Sequence, residues 1–598
     1  MLNPNNDRLF YGNILTPPAN YELDFAIGST YSLDLDALVG ASISLGLSDD
    51  IDSNLSDNSI YLLDALRTTS KNVVLFCENG QIKLPSNVTP LYILLENIVF
   101  QVKTLKNFRE NRYASFHPKF WLLKYKNDDN FIFRLVVLSR NLTFDRSWDI
   151  SFAMDGEKSD SVNKKNRPII EFLKYLLPFC SDSDKSQKID DIIDELMHVK
   201  FSLHSNIFND FEFYVNGIGG KSSINNDVLF SDEELNELMV ISPFLSSDII
   251  ANFNSRKLMH SKALLFTRLN SLVALNFEDC SNFDVYVLKD EIIDGESIVS
   301  EEAFEISKQD IHAKIYVTED EKSTNLYIGS LNASHNALNG NVEFMIKLHA
   351  DKNKLNIGML ADDLFNGEKG GPKDPFKLIE MDKIELIEED NDSNNLDLKL
   401  KYLSRLNSKA NVVLNNDFYD INVVFENLDE SQLDGIEVTI KPLLSNKKQI
   451  LSNFIIFEKL DKLDLSEFFI ITLKDDMENV LEKVIKIQSE GMPEDRHNEV
   501  ISSIITDETA FIKYVAFLLG DEYVLNIAEN NSFTKVNGGV NIQLPELYEK
   551  MLRATVYSPE KFKELEFLIR SITKDNVIPE GFVELYNTFV KVIENDRI

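Results

Sequence analysis

Two histidines in this chain are each followed at i+2 by a lysine, and later by a serine and an asparagine that are also two apart. The first set lies in "SFHPKFWLLKY" and "RLVVLSRNLT", which give His117, Lys119, Ser139 and Asn141. The second lies in "IHAKIYV" and "LYIGSLNAS", which give His312, Lys314, Ser330 and Asn332. In both, S-x-N follows the lysine after sixteen to twenty residues, and a carboxylate comes next: Asp149 in "SWDISF", Glu343 in "NVEFMI". In extended backbone, residues i and i+2 share a face, so each pair projects together, with Trp121 continuing the first row. Two neighbouring strands then present their polar pairs at one rim.

The residue types define what such a set can do. A neutral imidazole attacks phosphorus and forms a phosphohistidine, which splits one hard displacement into two easier ones. A second histidine protonates the leaving alkoxide and then activates water. Two ammoniums and two asparagine amides hold the non-bridging oxygens, and preorganised donors of this kind contribute about 3 kcal/mol each. A carboxylate bonded to a ring nitrogen fixes the tautomer and supports the imidazolium. Glu343 suits that task; Asp149 suits it too, although an aspartate in "SWDIS" equally suits a turn cap. The scheme calls for no metal and no cofactor.

The elements that must carry these residues follow from hydrophobic periodicity. Residues 1 to about 155 alternate apolar runs such as "NVVLFC" and "RLVVLS" with helix-like stretches such as "PLYILLENIVFQVKTL". "RPIIEFLKYLLPFC" and "SQKIDDIIDELMHV" have helical spacing. From about residue 201 the alternation resumes with "LMVISPFL", "KALLFTR", "FDVYVLKD", "HAKIYVT" and "NLYIGSL". The pattern predicts an α/β protein with two halves, residues 1–200 with a helical insertion and residues 201–385. Further on, "EEDNDSNNLD" from Glu388 holds five acids in ten residues and reads as a linker. A small β-rich domain is predicted over 386–475 and a helical domain over 476–598, where Ser558 reads as an N-cap before Pro559. These boundaries predict that a fragment ending near residue 385 folds alone.

Composition limits the function classes. A chain of 598 residues is too long for one core, and 43% hydrophobic content excludes wholesale disorder. The net charge of −36 repels phosphodiester backbones over about 10 Å, so nonspecific binding of nucleic acid by the whole surface is excluded. One segment runs the other way. Between Gln101 and Lys126, seven basic residues face Glu110 alone, a balance of +6. Lys103, Lys106, Arg109 and Arg112 lead into His117 and are candidates for guiding a nucleic acid, the alternative being a solvated loop. Cys77, Cys180 and Cys280 form no C-x-x-C pair and read as core thiols. With no basic leader and no run near ~20 apolar residues, a cytoplasmic location is expected. Two further patterns are weak: His260 and Lys262 form a third H-x-K followed by "CSNF" instead of S-x-N, and "GIGGKSS" has Val215 where a phosphate loop has its first glycine.

The doubled H-x-K…S-x-N pattern resembles the phospholipase D superfamily over residues 20–355. Gly329, Ser330, Asn332, Asn341 and Glu343 match its pattern, and Glu319 stands where the family has an acid after the lysine. In the first half Leu138 replaces the usual glycine, Lys124 the acid, and Trp148 with Asp149 the expected Asn and Glu. The resemblance implies two α/β halves forming one pseudo-symmetric active site. Within the superfamily the chain looks most like bacterial phospholipase D-like nucleases of restriction and anti-phage systems. That likeness implies a metal-independent nuclease, cleaving DNA in preference to RNA, with a helicase or ATPase partner held by the C-terminal domains; a homodimer is one possible assembly. It also favours His117 as nucleophile and His312 as general acid. A lipid phosphodiesterase or transferase, and a non-catalytic scaffold, remain alternatives. The first needs an amphipathic basic surface helix, which the sequence lacks; the second is disfavoured by the presence of both histidines.

Overall fold

The computed structural model describes residues 2, 11–46, 59–104, 106–107, 112–128, 130–144, 147–219, 221–222, 224–257, 263–289, 310–371, 373–383, 391–519, 548, 551–555, 559, 561–572, 574 and 577–595. It is a mixed α/β protein built around four main sheets.

The first sheet is formed from β1 (Glu22–Thr30), β2 (Val73–Glu78), β3 (Val99–Val102), β6 (Phe120–Asn127), β7 (Asn130–Leu138), β8 (Ser151–Lys158) and β9 (Val199–Ser202), in the order β3-β2-β1-β6-β7-β8-β9. A small hairpin, β4 (Lys106–Asn107) and β5 (Arg112–Tyr113), stands apart from it. The second sheet uses β10 (Phe208–Ile218), β11 (Lys221–Ser222), β12 (Glu237–Ile241), β13 (Ala263–Thr267), β14 (Phe283–Leu288), β15 (Ile315–Glu319), β16 (Ser323–Gly329), β17 (Glu343–Asp351) and β18 (Phe376–Ile379). Its order is β11-β10-β17-β16-β15-β12-β13-β14-β18. The stretch β14-β13-β12-β15-β16-β17-β10 repeats the arrangement of the first sheet: two parallel pairings, then four antiparallel ones.

The alternation of strand side chains divides the cores. In β6, Phe120 and Leu122 enter a core shared with Ile315, Val317, Phe344 and Ile346 of the second sheet. Trp121, Leu123 and Tyr125 enter a different one. The helix Arg167–Leu176 starts with Pro at its first turn and buries Ile169, Phe172, Leu173 and Leu176 in the shared core, where Phe172 packs on Phe120 and Phe344. Each such side chain contributes about 1.5–3 kcal/mol by leaving water.

Several expectations are corrected. "PLYILLENIVFQVKTL" is helical only over Tyr92–Leu95, then turns into β3, because nearly every side chain from Tyr92 to Val102 is buried and the run has no polar face. The acidic stretch expected to be a linker runs into the helix Asn391–Arg405, whose Leu396, Leu400 and Leu403 are buried at helical spacing; Glu388 to Asp390 lie outside the described residues. This helix packs on a sandwich of two four-stranded sheets. The sandwich continues beyond residue 475, with strand Val480–Lys486 in a stretch expected to be helical. Ser558 lies outside the described residues, and the helix after it begins at Lys561.

The C-terminal part is not a detached module. Leu443, Phe468, Val484, Val500, Phe511, Val515 and Phe582 share one core with Leu38, Leu66, Leu75, Tyr92 and Trp121 of the first half. Val484 N donates to the Ile82 carbonyl at 2.9 Å, and Arg496 forms a buried ion pair with Glu96.

Candidate active site

Each H-x-K run ends where a strand begins. Phe116 and Ile311 make isolated bridges to Val342 and Trp148, and β6 and β15 start only at Phe120 and Ile315. The histidines therefore sit at the strand mouths. Trp121 does not continue the row: its indole donates to Tyr11 Oη in the other core. The S-x-N pairs follow the ends of β7 and β16, with Ser139 N donating to the Ile150 carbonyl at 2.9 Å and Ser330 N to that of Phe344 at 3.1 Å. Gly329 is required by this approach, since a Cβ there would lie 2.3 Å from the Phe344 carbonyl oxygen.

The connections between the halves are crossed. His117 Nδ1 bonds Glu343 Oε2 at 3.0 Å, and that oxygen also accepts from Ser330 Oγ. His312 Nδ1 bonds Asp149 Oδ1 at 2.9 Å, which accepts from Ser139 Oγ at 2.8 Å. Each histidine is thus oriented by the carboxylate of the other half. The backbone is crossed in the same way: His117 N donates to the Val342 carbonyl and His312 N to that of Trp148, both at 2.9 Å. With Nδ1 donating to a carboxylate, the tautomer leaves a lone pair on Nε2.

The lysines are buried between them. Lys119 Nζ donates to the His117 carbonyl at 2.8 Å and Lys314 Nζ to the His312 carbonyl at 2.6 Å. Burial, and then the nearby Lys314 ammonium, pushes Lys119 well below its ordinary value. Burial lowers His117 to about 4, opposed by Glu343 and helped by Lys119. Burial also lowers His312 to about 4, helped by Lys314 and opposed by Asp149. Both imidazoles are therefore neutral near pH 7. The cage holds two lysine amines and two oriented imidazoles, and an anion bound among them favours the charged form of each.

Asn141 and Asn332 differ. Asn141 Oδ1 accepts the Ser32 amide at 3.4 Å, whereas the buried Asn332 Oδ1 has no hydrogen-bond partner among the described residues. Asn341 Oδ1 accepts from Ser115 N at 2.9 Å and so ties the approach to His117 to the second half. Glu319 lies apart from these residues: it accepts the Ile357 amide at 2.8 Å and pairs with Lys352.

Of the four residues expected to guide a nucleic acid, only Lys103 has a described side chain. Lys103 Nζ is spent on the Leu406 carbonyl at 2.9 Å, Lys124 pairs with Asp24 and Glu195, and Lys126 with Glu22. Lys106 and Arg112 belong to the small hairpin, but their side chains, all of Arg109, and also His260 and Lys262 lie outside what is described. Residues missed from the sequence are Tyr31, whose ring centroid lies 5.2 Å from that of His117, and the Glu78–Arg405 pair behind Phe116. Tyr31 stands at the end of an apolar strand, a position that was legible; no local signal marks Arg405.

The three cysteines are free and buried. Among the described residues, no group of three His, Cys, Asp or Glu side chains suits a metal ion, and no helix is long and apolar enough to cross a membrane.

No protein-family model and no curated protein matches the chain. Among solved structures it is similar to the yeast tyrosyl-DNA phosphodiesterase, with a TM-score of 0.35 and 13% identity over 59% of this chain and 87% of that one. It is also similar to the polyphosphate kinase of Porphyromonas gingivalis (TM-score 0.32, 10% identity, 65% of this chain and 50% of that one). A third is the phosphatidylserine synthase of Haemophilus influenzae (TM-score 0.33, 10% identity, 64% and 90%). Likenesses this distant say nothing about a substrate.

Proposed function

We propose that the chain is a phosphodiesterase of the phospholipase D type that works through a phosphohistidine. The observation that carries this reading is the crossed pairing, which orients His117 by Glu343 and His312 by Asp149 beside two buried lysines. His117 Nε2 attacks phosphorus while the bond to the leaving oxygen breaks, and that oxygen takes a proton from His312 Nε2. Water then attacks the phosphohistidine, gives a proton to His312 Nε2, and His117 is released. Burial is the larger cause of the lowered His312; a diester anion bound beside Lys119 and Lys314 opposes the smaller part that comes from those two lysines and so favours the protonated acid.

The finer reading rests on the sequence resemblance. Residues 1–200 and 201–385 act as two halves of one site, the substrate is nucleic acid with DNA ahead of RNA, and the setting is bacterial anti-phage defence with a helicase-like partner. The test is incubation of the purified chain with labelled single- and double-stranded DNA, RNA and phosphatidylcholine, with and without EDTA. Cleavage of a nucleic acid at a rate unchanged by chelation is expected. Abolition by EDTA with rescue by magnesium would overturn the histidine mechanism, and cleavage of the lipid alone would overturn the substrate.

A further inference from the structure

In each half, the residue before the histidine has its amide held by a carboxylate, and that carboxylate faces an arginine. Ile311 N donates to Asp310 Oδ1 at 2.7 Å, while Arg268 Nε lies 3.3 Å from Asp310 Oδ2 and donates to the Ile311 carbonyl at 2.6 Å. Phe116 N donates to Glu78 Oε2 at 2.7 Å, and Arg405 Nη2 lies 3.0 Å from Glu78 Oε1. The same Nη2 reaches Thr104 Oγ1 at 3.1 Å and the Ala114 carbonyl at 3.0 Å, the two ends of the segment that leads to His117. The arginine of the second half comes from β13's own connection. That of the first half comes from the helix Asn391–Arg405, beyond both catalytic sheets.

We propose that Arg405 is a positioning residue for His117, acting through Glu78, so that the C-terminal part completes a site whose reacting groups all precede it. Three consecutive amides fix this approach: Ser115 to Asn341 Oδ1, Phe116 to Glu78, His117 to the Val342 carbonyl. Only the middle anchor depends on the C-terminal part. The pair is nearly sealed from water, with Glu78 at 1% and Arg405 at 8% side-chain exposure. Burial lifts Glu78 to about 7 even against the pull of Arg405. Without that guanidinium the buried carboxylate takes up a proton, and the charge-assisted bond to Phe116 N is weakened. The helix end is seated by the same segment, with Asn79 donating to the Ser404 carbonyl and Lys103 to that of Leu406. A misplacement of about 1 Å at a reacting group costs up to about a hundredfold in rate.

The interface supplies its own control. Arg496 and Glu96 form a second buried pair between the C-terminal part and the first half, at 7% and 2% exposure, but neither has a bond to residues 114–117. The experiment compares Arg405→Met with Arg496→Met in the full chain. It measures kcat and KM on bis(4-nitrophenyl) phosphate, thermal stability, and the titration of the His117 resonance in ¹³C-histidine-labelled protein, assigned by its loss in His117→Ala. Both variants should lose stability. Arg405→Met alone should lower kcat tenfold or more with KM within about threefold, and should shift the His117 titration. An unchanged kcat and His117 titration in Arg405→Met would overturn the proposal, as would the same shifts in Arg496→Met. The kinetic arm rests on the phosphodiesterase reading; if the wild-type chain turns over no diester, that reading fails and the His117 resonance alone decides the positioning. Should Arg405→Met not fold, Arg405→Lys, which keeps the charge but not the fork, is judged by the same criteria.

Discussion

At the scale of residues, crossed pairing assigns each carboxylate to the histidine of the other half, and this has separable consequences. His117→Ala and His312→Ala should each lower turnover of a nucleic-acid substrate by about 10³-fold or more. With bis(4-nitrophenyl) phosphate, whose leaving group needs no proton, His312→Ala and Asp149→Asn should still form the acid-labile adduct. His117→Ala should form none, and Glu343→Gln should form it slowly. Impairment of the adduct by Asp149→Asn and its survival in Glu343→Gln would show that each carboxylate serves the histidine of its own half. The pH dependence follows from the same pair. Since His117 must be neutral to attack, kcat/KM on that diester should rise with pH through about 4 and stay level above it. A limb near 6.5 instead would place the nucleophile in an unburied setting.

At the scale of elements, β16 and β17 approach closely at Gly329, and the first half manages the corresponding place with Leu138, which is buried in a core. Gly329→Ala brings a methyl group against the backbone of Phe344 and Met345. Denaturant unfolding should show a loss of about 2–3 kcal/mol, with Ser330 and Glu343 displaced together. An alanine variant as stable as the parent would mean that the two strands separate without cost.

At the scale of the whole molecule, the C-terminal part behaves as a structural member of the first half. A fragment of residues 1–385 would lose the helices Arg496–Ile504 and Glu508–Leu518 that pack on Ser59–Asn72 in the shared core, and would leave the buried carboxylates of Glu78 and Glu96 stripped of Arg405 and Arg496. It should be insoluble or readily proteolysed, and a protease-resistant fragment with native circular dichroism would contradict the shared core. Acid acts on the whole molecule as well. His117 and His312 titrate at about 4 when folded, against about 6.5 unfolded, so their depressed values favour folding above about 6.5. That contribution is lost as pH falls toward 4, at most about 3 kcal/mol for each histidine. A His117→Ala/His312→Ala double variant should flatten the fall of melting temperature between pH 6.5 and 4.

The sequence by itself determined the residue types of the candidate site, their doubling and most of the strands that carry them. These are encoded locally: short apolar runs mark β2, β6, β7, β15 and β16, which are buried along most of their length, and the i, i+2 spacing of H-x-K and S-x-N is a property of adjacent residues. It misjudged "PLYILLENIVFQVKTL" and the acidic stretch before Arg405, because a fully buried run lacks a polar face and a few buried leucines outweigh a charged helix surface. Only the tertiary structure decided that Glu343 serves His117 and Asp149 serves His312, that Lys103 donates to the Leu406 carbonyl, and that Lys124 pairs with Glu195. It also decided that Arg405 stands behind the approach to His117. These contacts join residues far apart in the chain, and the depressed imidazoles come from burial, which no local spacing records.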